Sequence, residues 1–210
     1  MSTAEARLEL LTRINRATQG AQTPELPPYP HAEAQPREDV LHTFQDRIED
    51  YRAGFLRVTA DGVRDAVRAA LGDARRVLVP DGLDAAWLPD GLDVLHDFPP
   101  LAHAELDGVD AVVTGCAVAI ARTGTIILDH GPGQGRRALT LVPDVHVCVI
   151  HSHQIVPDVL DGVWAVAASV QAGRPLTWIS GGSATSDIEL VRVEGVHGPR
   201  TLRVIVVNGA

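Results

Sequence analysis

Between Phe55 and Val113 the chain alternates short, continuously apolar runs with amphipathic ones, and few folds accommodate that pattern. Phe55–Val58, Arg76–Pro80 (RVLVP), Asp93–His96 and Asp110–Val113 read as strands. Asp61 is placed to cap a helix running to Leu71, and a short helical piece is expected around Ala85–Leu88. Strands apolar at nearly every position are buried on both faces, and strand–helix–strand alternation joins them in parallel. Gly124–Asp129 (GTIILD), His146–Ile150 (HVCVI), Leu176–Ser180 (LTWIS) and Leu202–Val207 (LRVIVV) are expected to complete the sheet, with Val156–Ala172 as a helix between them. The predicted class is α/β: a mainly parallel sheet with helices on both faces.

A helical extension precedes this region. Residues 4–17 place Leu8, Leu10, Leu11 and Ile14 near helical spacing with charges between them. The segment TPELPPYPHAEAQP then interrupts, because proline removes donors and disfavours helix at the residue before it. A second helix is predicted from Glu38 to about Ala53, with Val40, Leu41, Phe44, Ile48 and Tyr51 on one face. The expected organisation is therefore residues 1–53 as an N-terminal helical extension with a Pro-rich linker, and residues 54–210 as the α/β domain.

Composition excludes several chemistries. All 18 basic residues are arginine, so a lysine Schiff base and a lysine-dependent phosphate loop are both ruled out. A net charge of −9 argues against general nucleic-acid binding, which needs clustered positive charge. Cys116 and Cys148 lie far apart in apolar stretches and form no CxxC pair, no zinc set and no iron–sulfur ligand run. The start MSTAEARLELL has no signal-peptide pattern, and no apolar segment reaches the roughly 18 residues of a membrane span. A cytoplasmic protein without membrane insertion is expected.

Four segments could carry function. The first, ARTGTIILDHGPGQGRR, brings Thr123, Gly124 and Thr125 into a strand and follows it with a glycine-rich loop ending in Arg136 and Arg137. Paired guanidiniums suit carboxylate or phosphate; a hairpin loop with solvated arginines is the plainer reading. In the second, SGGSATSDIE, Gly181 and Gly182 free the backbone while Ser183, Thr185, Asp187 and Glu189 offer polar groups after a strand end. An anion cradle and a capped turn both fit it. The third, GVHGPR, places His197 on a turn; it is either a proton-transfer group or a structural residue. The fourth, His146, His151 and His153, lacks a third ligand or a carboxylate and makes a poor metal site, so no metal is expected.

The order of these segments carries a resemblance. ARTGTIIL at 121–128, GR at 135–136, LVP at 141–143, and SGGSATSDIE with GVHGPR across 180–200 resemble the lactate utilization protein C family. The resemblance implies a domain similar to the ribose-phosphate isomerase and CoA-transferase-like fold. It implies a subunit or accessory role in oxidising L-lactate to pyruvate, with iron–sulfur clusters carried by partner subunits and no cofactor on this chain. The ligand-binding set it suggests is Thr123, Gly124, Thr125, Arg136, Gly181, Gly182, Ser183, Thr185, Asp187, Glu189 and His197, holding a small anionic metabolite; no catalytic residue is assigned. Two departures stand out: Arg122 occupies a position commonly acidic in the family, and Gly182 replaces a usual proline. The alternatives are a stand-alone isomerase- or CoA-transferase-like enzyme acting on a sugar phosphate or acyl thioester, with Asp187 or Glu189 as acid/base or nucleophile, and a non-catalytic assembly module.

Overall fold

The structure is a computed structural model and describes residues 3–21, 34–186, 192–194 and 198–209. By its contacts the chain divides into residues 1–30 and 31–210. The described residues of the first unit include helix α1 (Thr3–Thr18), which buries none of its residues.

The second unit begins with helix α2 (Arg37–Asp50). Strand β1 (Gly54–Thr59), helix α3 (Val63–Leu71), β2 (Arg76–Val79), β3 (Asp93–His96), α4 (His103–Asp107) and β4 (Ala111–Thr114) follow. Next come β5 (Val118–Ile120), β6 (Thr125–Leu128), β7 (Val145–His151), β8 (Ile155–Val156), α5 (Val159–Ala165), α6 (Ala167–Gln171) and β9 (Thr177–Ile179). The chain ends with β10 (Ala184–Ser186), β11 (Arg192–Glu194) and β12 (Thr201–Asn208).

Six strands form a sheet in the order β1-β12-β7-β4-β2-β3, and every neighbouring pair is parallel. The period-two geometry of its central strands sorts their side chains. Val147, Val149, Ile205 and Val207 face α3, where Val63, Val67 and Leu71 complete one core. Cys148, Ile150, Val204 and Val206 face the opposite way, onto Val40, Leu41, Phe44 and Ile48 of α2. Phe44 meets Phe55 edge-on at 6.3 Å. Four of the five residues predicted on one face of α2 thus hold it, whereas Tyr51 follows the helix and is exposed; α2 packs as part of the larger unit rather than as an extension.

A second sheet, β8-β5-β6-β9, contains GTIILD and LTWIS, which do not join the parallel sheet. The reason is local. Residues 121–124 close a tight turn in which the Gly124 N–H donates to the Ala121 carbonyl, and so short a link permits only antiparallel pairing of β5 and β6. One face of this sheet joins the α2 core through Ala119, Ile126 and Leu128; the other, with Val118, Ile120 and Ile127, packs near Val159 and Val166. The helix expected over Val156–Ala172 starts only at Val159, because Asp158 caps it through a 2.6 Å bond from the Val159 N–H. It also breaks at Val166 into α5 and α6. Among the described residues no helix is long and apolar enough to cross a membrane.

Candidate functional site

The structure joins two of the segments singled out in the sequence. Thr123 Oγ1 lies 2.7 Å from Thr125 Oγ1, which lies 2.8 Å from Ser180 Oγ, so a chain of hydroxyls links the β5–β6 turn to the end of β9. Gly124 itself packs against the backbone of α2: a Cβ there would sit 2.7 Å from the Arg47 Cβ and 3.1 Å from its carbonyl oxygen, at φ +58°. Its role is the turn. Arg136 is held by Asp97: its Nε and Nη2 bond the Asp97 carboxylate at 2.6 and 3.0 Å, and Nη2 also reaches the Leu101 carbonyl. Burial alone would raise the Asp97 carboxyl, but Arg136 and the Leu101 N–H outweigh it and hold it below the usual range. Arg136 therefore braces the glycine-rich loop. Arg122 likewise pairs with Asp158 at 2.8 Å, beside the start of α5.

Gly181 and Gly182 serve close packing. A Cβ on Gly181 would fall 2.6 Å from the Tyr51 Cβ, and one on Gly182 would fall 2.7 Å from the Arg200 carbonyl oxygen. The Ser183 N–H donates to the Pro199 carbonyl at 2.7 Å. Thr185 lies on β10, opposite Val193 of β11. Asp187, Glu189 and His197 lie outside the described residues.

Gly182 and Ser183 wall a cavity of about 280 Å³ lined also by Arg52, Arg200 and Arg203. The three arginines arrive from different elements. Arg52 closes α2 in the left-handed conformation (φ 61°), with its N–H on the Glu49 carbonyl and the Ala53 N–H on the Ile48 carbonyl, a Schellman ending. Arg203 lies on β12 opposite Gly54, and Arg200 just precedes that strand. Only Arg200 meets a carboxylate among the described residues, Asp144 at 3.6 Å, and both members of that pair are exposed. The sequence reading missed this set because no local motif marks it.

Gly182 and Ser183 also border a second cavity, of about 250 Å³, lined by Arg137, His146, Thr177 and Ser180. The Arg137 Nη1 donates to Thr177 Oγ1 at 2.9 Å, and that hydroxyl also meets His130 Nε2 at 2.9 Å. Since His130 Nδ1 lies 2.7 Å from the Gly135 carbonyl, a pure acceptor, the proton belongs on Nδ1, and Thr177 donates to Nε2. His146 is fully buried, bonded to Thr114 Oγ1 at 2.7 Å, and burial lowers its pKa to about 4.

A cavity of about 750 Å³ opens at the carboxyl ends of β1, β2, β4 and β7, where open parallel sheets place ligand crevices. Asp61, Asp65, Asp84, Trp87, His151 and Gln154 are among its lining. Asp61, expected as a helix cap, makes no capping bond; it sits in the 3-10 turn Ala60–Gly62, and Gly62 takes the cap position. Cys116 also borders the cleft, but a hydrogen bond with Cys148 and burial push its thiol well above its ordinary pKa, making it a poor nucleophile. Among the described residues no group of three or more His, Cys, Asp or Glu is placed to hold a metal ion.

An open parallel sheet with an arginine-lined cavity near the amino ends of its strands and a cleft at their carboxyl ends defines an α/β protein. The LUD domain matches residues 102–207, and the chain belongs to that family. It is 64% identical to a Deinococcus radiodurans protein named lactate utilization protein C, over 99% of this chain and 98% of that one. The Geobacillus kaustophilus protein of the same name is 26% identical, over 82% of this chain and 80% of the relative. A crystal structure of a DUF162 family protein from Deinococcus radiodurans superposes with a TM-score of 0.75 at 59% identity, covering 83% of this chain and 99% of the other.

Proposed function

We infer that this chain is a subunit or accessory protein of an L-lactate utilisation system, in which lactate is oxidised to pyruvate beside iron–sulfur partner subunits, and that it binds a small carboxylate. The names of its relatives support the lactate role. One observation carries the binding reading: three arginines converge on a 280 Å³ cavity beside Gly182 and Ser183, in a chain whose net charge is −9. Two of them, Arg52 and Arg203, have no carboxylate partner among the described residues, so their guanidiniums are free to take a carboxylate in charge-assisted hydrogen bonds. A lactate or pyruvate anion fits that volume.

Titration calorimetry of the purified protein with L-lactate, pyruvate and sugar phosphates tests this. Lactate or pyruvate binds, and Arg52→Ala or Arg203→Ala each weakens it about tenfold or more, the loss expected for one charge-assisted hydrogen bond. Absence of binding by either acid overturns the reading. Co-purification with iron–sulfur proteins tests the partner role. A stand-alone enzyme of the isomerase or CoA-transferase-like class is the second reading, favoured by the carboxyl-end cleft; turnover by the isolated chain would establish it, since an accessory subunit is inert alone.

A further inference from the structure

The cleft at the carboxyl ends of the parallel strands is chemically unlike the arginine-lined cavity. Along β12, Arg203 borders the arginine-lined cavity whereas Val207 borders the cleft, and four residues of strand span about 13 Å. The two regions are thus distinct sites, and their charges are opposite.

Anions are disfavoured in the cleft. Asp61, Asp65 and Asp84 line it, and its one basic side chain, Arg64, is directed to the Ala86 carbonyl at 3.1 Å and to Asp90 at 3.8 Å. A phosphate or carboxylate entering there would face three carboxylates against one guanidinium, that of Arg64, already shared with the Ala86 carbonyl and Asp90. The floor is apolar, formed by Val63, Val149 and Val207.

The polar wall is His151. Its ring lies between Trp87, at 5.7 Å, and His153, stacked at 5.5 Å. Its Nδ1 has no hydrogen-bond partner among the described residues. Burial, the neighbouring His153 and only a weaker opposing pull from Asp84 favour the neutral ring, which offers one donor and one acceptor. The aspartates can only accept. A hydroxyl group satisfies both demands, because it donates to a carboxylate and either donates to or accepts from an imidazole. An ammonium would be drawn by the same carboxylates, but only a ring also covers Trp87 and the valine floor.

We propose that this cleft binds an uncharged polyhydroxylated ring, a sugar or the ribose of a nucleoside carrying no phosphate, with Trp87 as its stacking wall and His151 as its polar anchor. The site stands apart from the carboxylate reading and survives its failure.

The test is calorimetry and tryptophan fluorescence of the full chain with ribose, glucose, adenosine and inosine, beside ribose 5-phosphate and the nucleoside 5′-monophosphates. At least one uncharged ligand binds, its phosphorylated form binds at least tenfold more weakly, and Trp87→Phe and His151→Ala each cut affinity at least fivefold. His151→Gln, which keeps a donor and an acceptor, restores part of the loss, and thermal melts confirm that each variant is folded. Equal or tighter binding of the phosphates, binding of small amines in place of the sugars, no binding by any uncharged ligand, or affinity unchanged in the folded variants would each overturn the proposal. Lactate and pyruvate titrations on the same preparation report separately on the arginine cavity.

Discussion

Thr125 and Ser180, 55 residues apart in sequence, share a hydrogen bond of 2.8 Å that ties the second strand of the β5–β6 hairpin to the end of the edge strand β9. Thr125 is only 5% exposed, and Thr123 bonds the same hydroxyl. Thr125→Val keeps the shape and removes the link, leaving two hydroxyls to find new partners. A loss of about 1–2 kcal/mol in denaturant unfolding is expected, with carboxylate affinity little changed. Affinity lost at unchanged stability would instead place these hydroxyls around the ligand.

Gly124 makes the complementary case, since the sequence suggested ligand approach and the structure shows helix approach. A methyl group there meets the Arg47 backbone while the residue is held at φ +58°. Gly124→Ala is expected to cost about 1–3 kcal/mol, from both the left-handed conformation and the overlap with α2. Thermal unfolding measures it, and ligand affinity per folded molecule should stay at the wild-type value.

Much of the fold was legible because strands buried on both faces leave continuous apolar runs: RVLV, AVVT and VHVCVIH are the strands β2, β4 and β7. The second sheet was not, because GTIILD and VHVCVI look alike as sequence, and only the brevity of the 121–124 turn separates antiparallel from parallel pairing. The candidate site was half legible. The motif around Ser180–Ser183 does wall a cavity, but Arg136, its expected charge, is consumed by Asp97, 39 residues earlier. The arginines that line the cavity come from the end of α2 and the start of β12, and no local pattern joins them. The carboxyl-end cleft gathers residues from several strand ends, and Asp61 there read as a helix cap.

His146 predicts a pH dependence of stability. Its pKa falls to about 4 in the folded chain through burial, against an ordinary value near 6.5. Below pH 6.5 the unfolded chain takes up a proton that the folded chain refuses until about pH 4, so this contribution is complete above 6.5 and is lost as pH falls toward 4. The loss amounts to about 3 kcal/mol at most. Urea unfolding at pH 7.5, 6, 5 and about 4 measures it. His146→Gln, which keeps an amide for the Thr114 hydroxyl and removes the titration, is expected to flatten the decline; the same slope in the variant would assign it elsewhere.

Arg52 sets stability against binding most directly. It occupies the position after a helix cap where glycine is preferred, at φ 61°, and a side chain in that left-handed region costs about 1–2 kcal/mol. Glycine loses more conformational entropy on folding, which offsets part of the relief. Arg52→Gly is therefore expected to raise stability by up to about 1 kcal/mol while weakening carboxylate binding about tenfold or more, as a guanidinium leaves the cavity. Few substitutions of a merely exposed arginine move those two quantities in opposite directions. Denaturant unfolding and calorimetry on one preparation read both, and a variant that is more stable yet binds lactate or pyruvate as well as the wild type would remove Arg52 from the site.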